Sequence, residues 1–150
     1  DSLWDANMDM LSPTLLNLFD ESWPIRSGDP ICPPHYTGQN ARVSHSIVSE
    51  GCVIEGEVEN SVLSSMACVG PGAHVEYSIL MPGAVVEAGA RVEYAIIGEN
   101  AHVAARAHVG APPDGTDAWG VATCGPGARI AEDACVPPHA MIYAETEETP

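Results

Sequence analysis

Val69-Gly70-Pro71-Gly72-Ala73-His74-Val75 is one cycle of a six-residue beat: an aliphatic residue, a small one, a corner pair, an alanine, a variable residue, then the next aliphatic. Working outward, the aliphatic anchors run Leu63, Val69, Val75, then Leu80, Val86, Val92, then Ile97, Val103, Val109. The steps are six, six and five, repeated, so the larger unit is 17 residues. A fixed period of this size marks a solenoid, in which one supersecondary unit stacks on its copies. A β-sandwich also has short strands and Gly-rich turns, but it does not predict a constant 17-residue offset.

Positions between the anchors agree. Two residues before each anchor sits a small one, as at Ala41, Ser46, Cys52, Ser61, Ala67, Ala73, Ser78 and Ala84. Three before, Asn40, Gly51, Gly72, Gly83, Gly89 and Asn100 recur, residues that tolerate a left-handed corner. Met66 and Arg106 break that corner rule. The fold class is therefore all-β: a parallel β-helix of about five coils over residues 41–143.

The rest of the chain departs from the beat. Residues 2–11 predict a short helix with Ser2 as N-cap and Leu3, Trp4, Asn7, Met8 and Leu11 on one side. Residues 12–40 are rich in proline yet carry Leu15, Phe19, Trp23 and Ile25, too much apolar cargo for a free linker. This segment is expected to lie against a surface. Residues 110–120 read as an inserted loop, after which Cys124, Ile130, Val136 and Ile142 resume in sixes. Residues 144–150 form an acidic tail.

Net charge is −16, with five Lys+Arg, all of them Arg. Such a balance argues against nucleic acid and anionic membranes, which need a basic footprint. No signal peptide or long apolar run appears, and the five cysteines read as reduced thiols, so a cytoplasmic protein is expected.

Two outward columns follow from the 17-residue stacking. Ile47, Val62, Ile79 and Ile96 precede the anchors of the five-residue step and so face away from the core. Such an apolar stripe predicts a covered face or an interface, with residues 12–40 as cover through Phe19 and Trp23, and a neighbouring domain or subunit for the remainder. The second column, His74, Arg91 and His108, is a candidate anion or effector site. Adjacent Glu76 and Glu93 offer the competing reading of a neutralised, solvated face. No phosphate-cradling glycine loop, Ser/His/Asp set or paired acid and base carboxylates stands out, so no catalytic, cofactor-binding or metal residue is assigned.

Several stretches resemble bacterial glucose-1-phosphate adenylyltransferases (ADP-glucose pyrophosphorylases). They are residues 2–11 (SLWDANMDML), 16–25 (LNLFDESWPI), 33–36 (PPHY), 49–63 (SEGCVIEGEVENSVL), 78–82 (SILMP), 93–97 (EYAII) and the loop ending Ala118-Trp119-Gly120. The resemblance implies a left-handed β-helix at the C-terminal end of that enzyme. Residues 1–40 would then be a helix and connection from an N-terminal α/β catalytic domain, where ATP and Mg2+ bind. It implies synthesis of ADP-glucose and pyrophosphate from ATP and glucose 1-phosphate for glycogen, and a homo- or hetero-oligomer, a tetramer in this family. The family's glycine-rich loop, metal-binding Asp and sugar-phosphate Lys have no counterparts here, so the segment itself is expected to be inactive and to hold no cofactor. A non-catalytic companion subunit would share this β-helix. A free-standing hexapeptide acyltransferase, with a histidine as general base, is the other reading. His35, His45, His74, His102, His108 and His139 are all candidates for that base. A hexapeptide carbonic anhydrase would need three histidines on zinc, but His102 falls on a different face from His74 and His108.

Overall fold

The computed structural model describes residues 2–12 and 32–144 of the chain. A single helix, α1 (Ser2–Asp9), precedes the strands among these residues. The first coil is β1 (Tyr36–Thr37), β2 (Arg42–Ser44) and β3 (Ile47–Val48). The second is β4 (Val53–Ile54), β5 (Glu57–Glu59) and β6 (Val62–Leu63). The third is β7 (Cys68–Val69), β8 (His74–Glu76) and β9 (Ile79–Leu80). The fourth is β10 (Val85–Val86), β11 (Arg91–Glu93) and β12 (Ala95–Ile97). The fifth is β13 (His102–Val103), β14 (His108–Val109) and, beyond a loop, β15 (Ala122–Cys124). The sixth is β16 (Arg129–Ile130), β17 (Cys135–Val136) and β18 (Met141–Ile142). Each coil gives one strand to each of three six-stranded parallel sheets, and the whole is a left-handed parallel β-helix.

The register follows the period read from the sequence. Val86 lies between Val69 and Val103, and Val92 between Val75 and Val109. Leu63, Val69, Val75, Leu80, Val86, Val92, Ile97, Val103 and Val109 are fully buried in one continuous core. Each such side chain contributes about 1.5–3 kcal/mol through burial.

The solenoid has six coils rather than about five, because it begins before residue 41. Tyr36 pairs with Val53 and Thr37 with Ile54. Thr37 stands where an aliphatic anchor is expected, so this strand lacks the signal that marks the others. The second coil is also shorter. Arg42 pairs with Glu57, only 15 positions on, whereas Tyr36 pairs with Val53, 17 on. The missing two residues come out of the corner at Glu55-Gly56. A Cβ at Gly56 would stand 2.4 Å from the Ala73 carbonyl oxygen, so this tight corner needs glycine. The corner borders a groove of about 650 Å³ that reaches His74.

The five-residue step between the second and third sheets has its own device. Ser61 N–H donates to Ser46 Oγ, Ser78 N–H to Ser61 Oγ, and Ala95 N–H to Ser78 Oγ, each at 3.1 Å. Ser61 and Ser78 are wholly buried. This ladder holds His45, Asn60, Tyr77 and Tyr94 at φ of 44°, 46°, 43° and 48°. A left-handed residue other than glycine costs about 1–2 kcal/mol, which the buried ladder offsets. Met66 and Arg106, which break the Gly/Asn rule, take the same left-handed form at φ 64° and 58°. Arg106 is held there by hydrogen bonds to Glu132 and to both oxygens of Asp133.

Helix α1 ends two residues short of the expected span, in turns closed by Met10 N–H on Asn7 O and Leu11 N–H on Met8 O. Its expected apolar side divides: Trp4 and Met8 pack on the solenoid, whereas Leu3 is 50% exposed. No described helix is long and apolar enough to cross a membrane.

Candidate functional site

The outer face of the second sheet carries two adjacent columns, because residues i and i+2 of a strand share a face. One is Arg42, Glu57, His74, Arg91 and His108; the other is Ser44, Glu59, Glu76 and Glu93. His74 sits between carboxylates, with Nδ1 3.5 Å from Glu57 and Nε2 3.4 Å from Glu76. Arg91 Nε lies 3.1 Å from Glu93 Oε1, and His108 Nε2 lies 2.9 Å from Glu93 Oε2. Glu93 is the most enclosed member, its side chain 11% exposed. All three groups of the candidate anion column thus face carboxylates, so an incoming anion would have to displace them. The partly exposed pairs of His74 with Glu57 and Glu76 contribute only about 0–1 kcal/mol each.

The remaining described histidines are scattered, and His35 is an exposed residue just ahead of β1. His102 belongs to the first sheet and meets Glu87 at 2.9 Å. His45 Nδ1 lies 2.7 Å from Asn60 Oδ1 on an exposed corner. His139 sits at a corner of the sixth coil, its N–H on the Gly120 carbonyl. The structure brings His74 and His108 to one face and leaves His102 on another, as the spacing predicts. Burial pushes the Cys124 thiol up to about 11 and raises Cys52 and Cys68 as well, which makes these three poor nucleophiles. Cys52 and Cys124 act as small core residues.

The apolar stripe lies on the outer face of the third sheet. Val62, Ile79 and Ile96 are 6%, 1% and 8% exposed, and Ile47 is half-buried. Ile79 and Ile96 gather with Val121 beneath Trp4, Met8, Met81 and Trp119. The cover in view is therefore α1 and the loop between β14 and β15. Phe19 and Trp23, the contacts expected from the sequence, lie outside the described residues.

An aromatic cluster completes that cover, and sequence reading missed it. Tyr77 and Tyr94 stack at 4.8 Å between centroids. Trp4 leans on Tyr94 at 6.0 Å, and Trp119 meets Tyr94 edge-on at 5.7 Å. Four of the chain's eight aromatic residues (three Trp, four Tyr, one Phe) meet here. The signal was present in the 17-residue offset of Tyr77 and Tyr94. Both indoles are tied down: Trp4 Nε1–H donates to Tyr77 O at 2.7 Å, and Trp119 Nε1–H to Ala111 O at 2.9 Å. Burial raises the Tyr94 phenol above its ordinary pKa, with smaller contributions from Tyr77, Glu76 and Glu93.

Comparison with known proteins agrees with this geometry. Residues 34–123 match the family described as GlmU-like, C-terminal hexapeptide. Glucose-1-phosphate adenylyltransferase of Clostridium beijerinckii is 47% identical over 76 residues, 50% of this chain and 20% of that protein. The enzyme of the same name from Geobacillus stearothermophilus is 53% identical over 75 residues, 49% of this chain and 19% of that protein. The matched part of the chain thus spans about a fifth of the length of these curated relatives. Among solved structures, a variant of perosamine N-acetyltransferase from Caulobacter crescentus, crystallised with CoA and GDP-perosamine, superposes with a TM-score of 0.63. That match has 18% identity and covers 76% of this chain and 52% of that one, a likeness of fold alone. With the repeat, the three parallel sheets and the family match in agreement, the chain belongs to the GlmU-like C-terminal hexapeptide family.

Proposed function

We propose that this chain is the β-helix segment of a glucose-1-phosphate adenylyltransferase, a docking and assembly module without an active site of its own. The whole enzyme would make ADP-glucose and pyrophosphate from ATP and glucose 1-phosphate for glycogen synthesis in the cytoplasm. ATP and Mg2+ would bind in its catalytic domain. The observation that carries this reading is the identity of about half of the aligned residues to curated enzymes of that name. Assembly as an oligomer, a tetramer by resemblance, belongs to the same proposal.

The encoding reading frame upstream of Asp1 tests it cheaply. About 250–300 residues of α/β pattern are expected there, the size of one large domain. A phosphate-binding glycine loop in that stretch distinguishes a catalytic subunit from a companion subunit. A frame that opens at this chain, with coenzyme-A-dependent acyl transfer by its product, would count against the proposal and for an acyltransferase.

A further inference from the structure

We propose that His74, Glu76 and Glu93 form a binding site for a divalent metal ion of the zinc type. Among the described residues this is the group of His and carboxylate side chains whose ligand atoms converge: one atom from each lies within 4.8 Å of the others. The site is built on rigid elements. His74 and Glu76 share the outer face of β8, and Glu93 of β11 stands beside Glu76 in register.

One pair of the group already stands at the separation of two ligands on one ion. His74 Nε2 and Glu76 Oε2 are 3.4 Å apart. A charge-assisted hydrogen bond closes to about 2.7–2.9 Å. Two ligands about 2.0–2.1 Å from a tetrahedral ion stand roughly 3.3–3.4 Å apart. The other ring nitrogen, Nδ1, faces Glu57 at 3.5 Å. Closed to hydrogen-bond distance, this carboxylate on Nδ1–H would leave the Nε2 lone pair free for a metal, the usual carboxylate–histidine–metal arrangement. Glu93 is oriented by Arg91 on one oxygen and His108 on the other.

Charge points the same way. Glu57, Glu76 and Glu93 against Arg42 and Arg91 leave one negative charge in excess. That excess favours a cation; an anion on this column would deepen it. One imidazole with two carboxylates favours zinc and its neighbours over magnesium or calcium, which prefer all-oxygen shells. His74 and Glu57 also line the 650 Å³ groove beside the short corner, so the ion would keep a side open to water or a small ligand. This inference stands independently of the nucleotidyltransferase reading.

Zinc chloride titrated into the metal-free chain against a chromogenic chelator tests it, with cobalt substitution as the spectroscopic readout. One equivalent should bind. His74→Ala and Glu76→Gln should each weaken binding about 100-fold, and Glu57→Gln, which removes an outer partner, about 10-fold. His102→Ala, on the first sheet, should leave affinity unchanged. Cobalt should give the visible bands of a tetrahedral nitrogen and oxygen site. Far-UV circular dichroism of the metal-free variants checks that each is folded; His74 and Glu76 are both partly exposed, so either can serve alone. The absence of a one-equivalent site, unchanged affinity in both variants, or a thiolate-to-cobalt charge-transfer band would each overturn the proposal.

Discussion

Val86→Asp is expected to unfold the chain. Val86 is fully buried and lies in register between Val69 and Val103, with strands on both sides. Replacing it removes about 1.5–3 kcal/mol of apolar burial. It also places a carboxylate where the surrounding core offers only aliphatic side chains, and an unpaired buried polar group adds several kcal/mol. A domain of this size has about 5–15 kcal/mol in total. The neighbouring Val85 provides the control, since it faces outward on the same strand and is only partly buried. Val85→Asp should cost about 1 kcal/mol or less. Thermal melting followed by far-UV circular dichroism separates the two. Equal melting temperatures would mean that the inward and outward faces are wrongly assigned.

Ile79→Glu should have the second-largest effect, but a different one. Ile79 faces outward, so the central core can persist, yet the residue is 1% exposed. A glutamate there must reach water, and the route is through Trp4, Met8 and Trp119. Helix α1 and the loop between β14 and β15 should therefore lift off together. Each large side chain released forfeits about 1.5–3 kcal/mol of burial. The freed stripe of Val62 and Ile96 should then make the chain sticky, so light scattering should rise. Tryptophan emission should shift to longer wavelength as Trp4 and Trp119 become wet, while the β-rich circular dichroism is kept. Unchanged emission and unchanged mass would show that α1 and the loop do not depend on this residue.

These two substitutions mark how far the sequence could be read. Val86 was placed inward because its column checks itself: Val69, Val86 and Val103 repeat at 17, and a wrong register would break all three at once. Ile79 is placed outward by the same alternation and its burial is expected; the expected cover, Phe19 and Trp23, lies outside the described residues, and the cover in view is α1 and the loop between β14 and β15. Trp4 and Trp119 lie outside the repeat, and their approach to Tyr77 and Tyr94 is a tertiary event with no period to announce it. The serines at 46, 61 and 78 were legible as small residues; their role as a hydrogen-bond ladder needed the backbone geometry of the five-residue step. Tyr36-Thr37 escaped notice because threonine occupies the anchor position. On the second sheet, the alternation of His74 with Glu76 and Arg91 with Glu93 is visible in the text of the chain. That His108 turns to Glu93 of the preceding coil, and His74 to Glu57, depends on rotamers that no spacing specifies.

The division of labour is tested most directly by pyrophosphate release from ATP and glucose 1-phosphate with Mg2+. The assay compares the purified 150-residue chain with the product of the full reading frame. The long protein should release pyrophosphate, or do so once paired with a catalytic subunit, and the chain alone should release none above background. Turnover by the isolated chain would contradict its assignment as a module without an active site. Failure of the long protein to turn over in either setting would contradict its assignment to this enzyme.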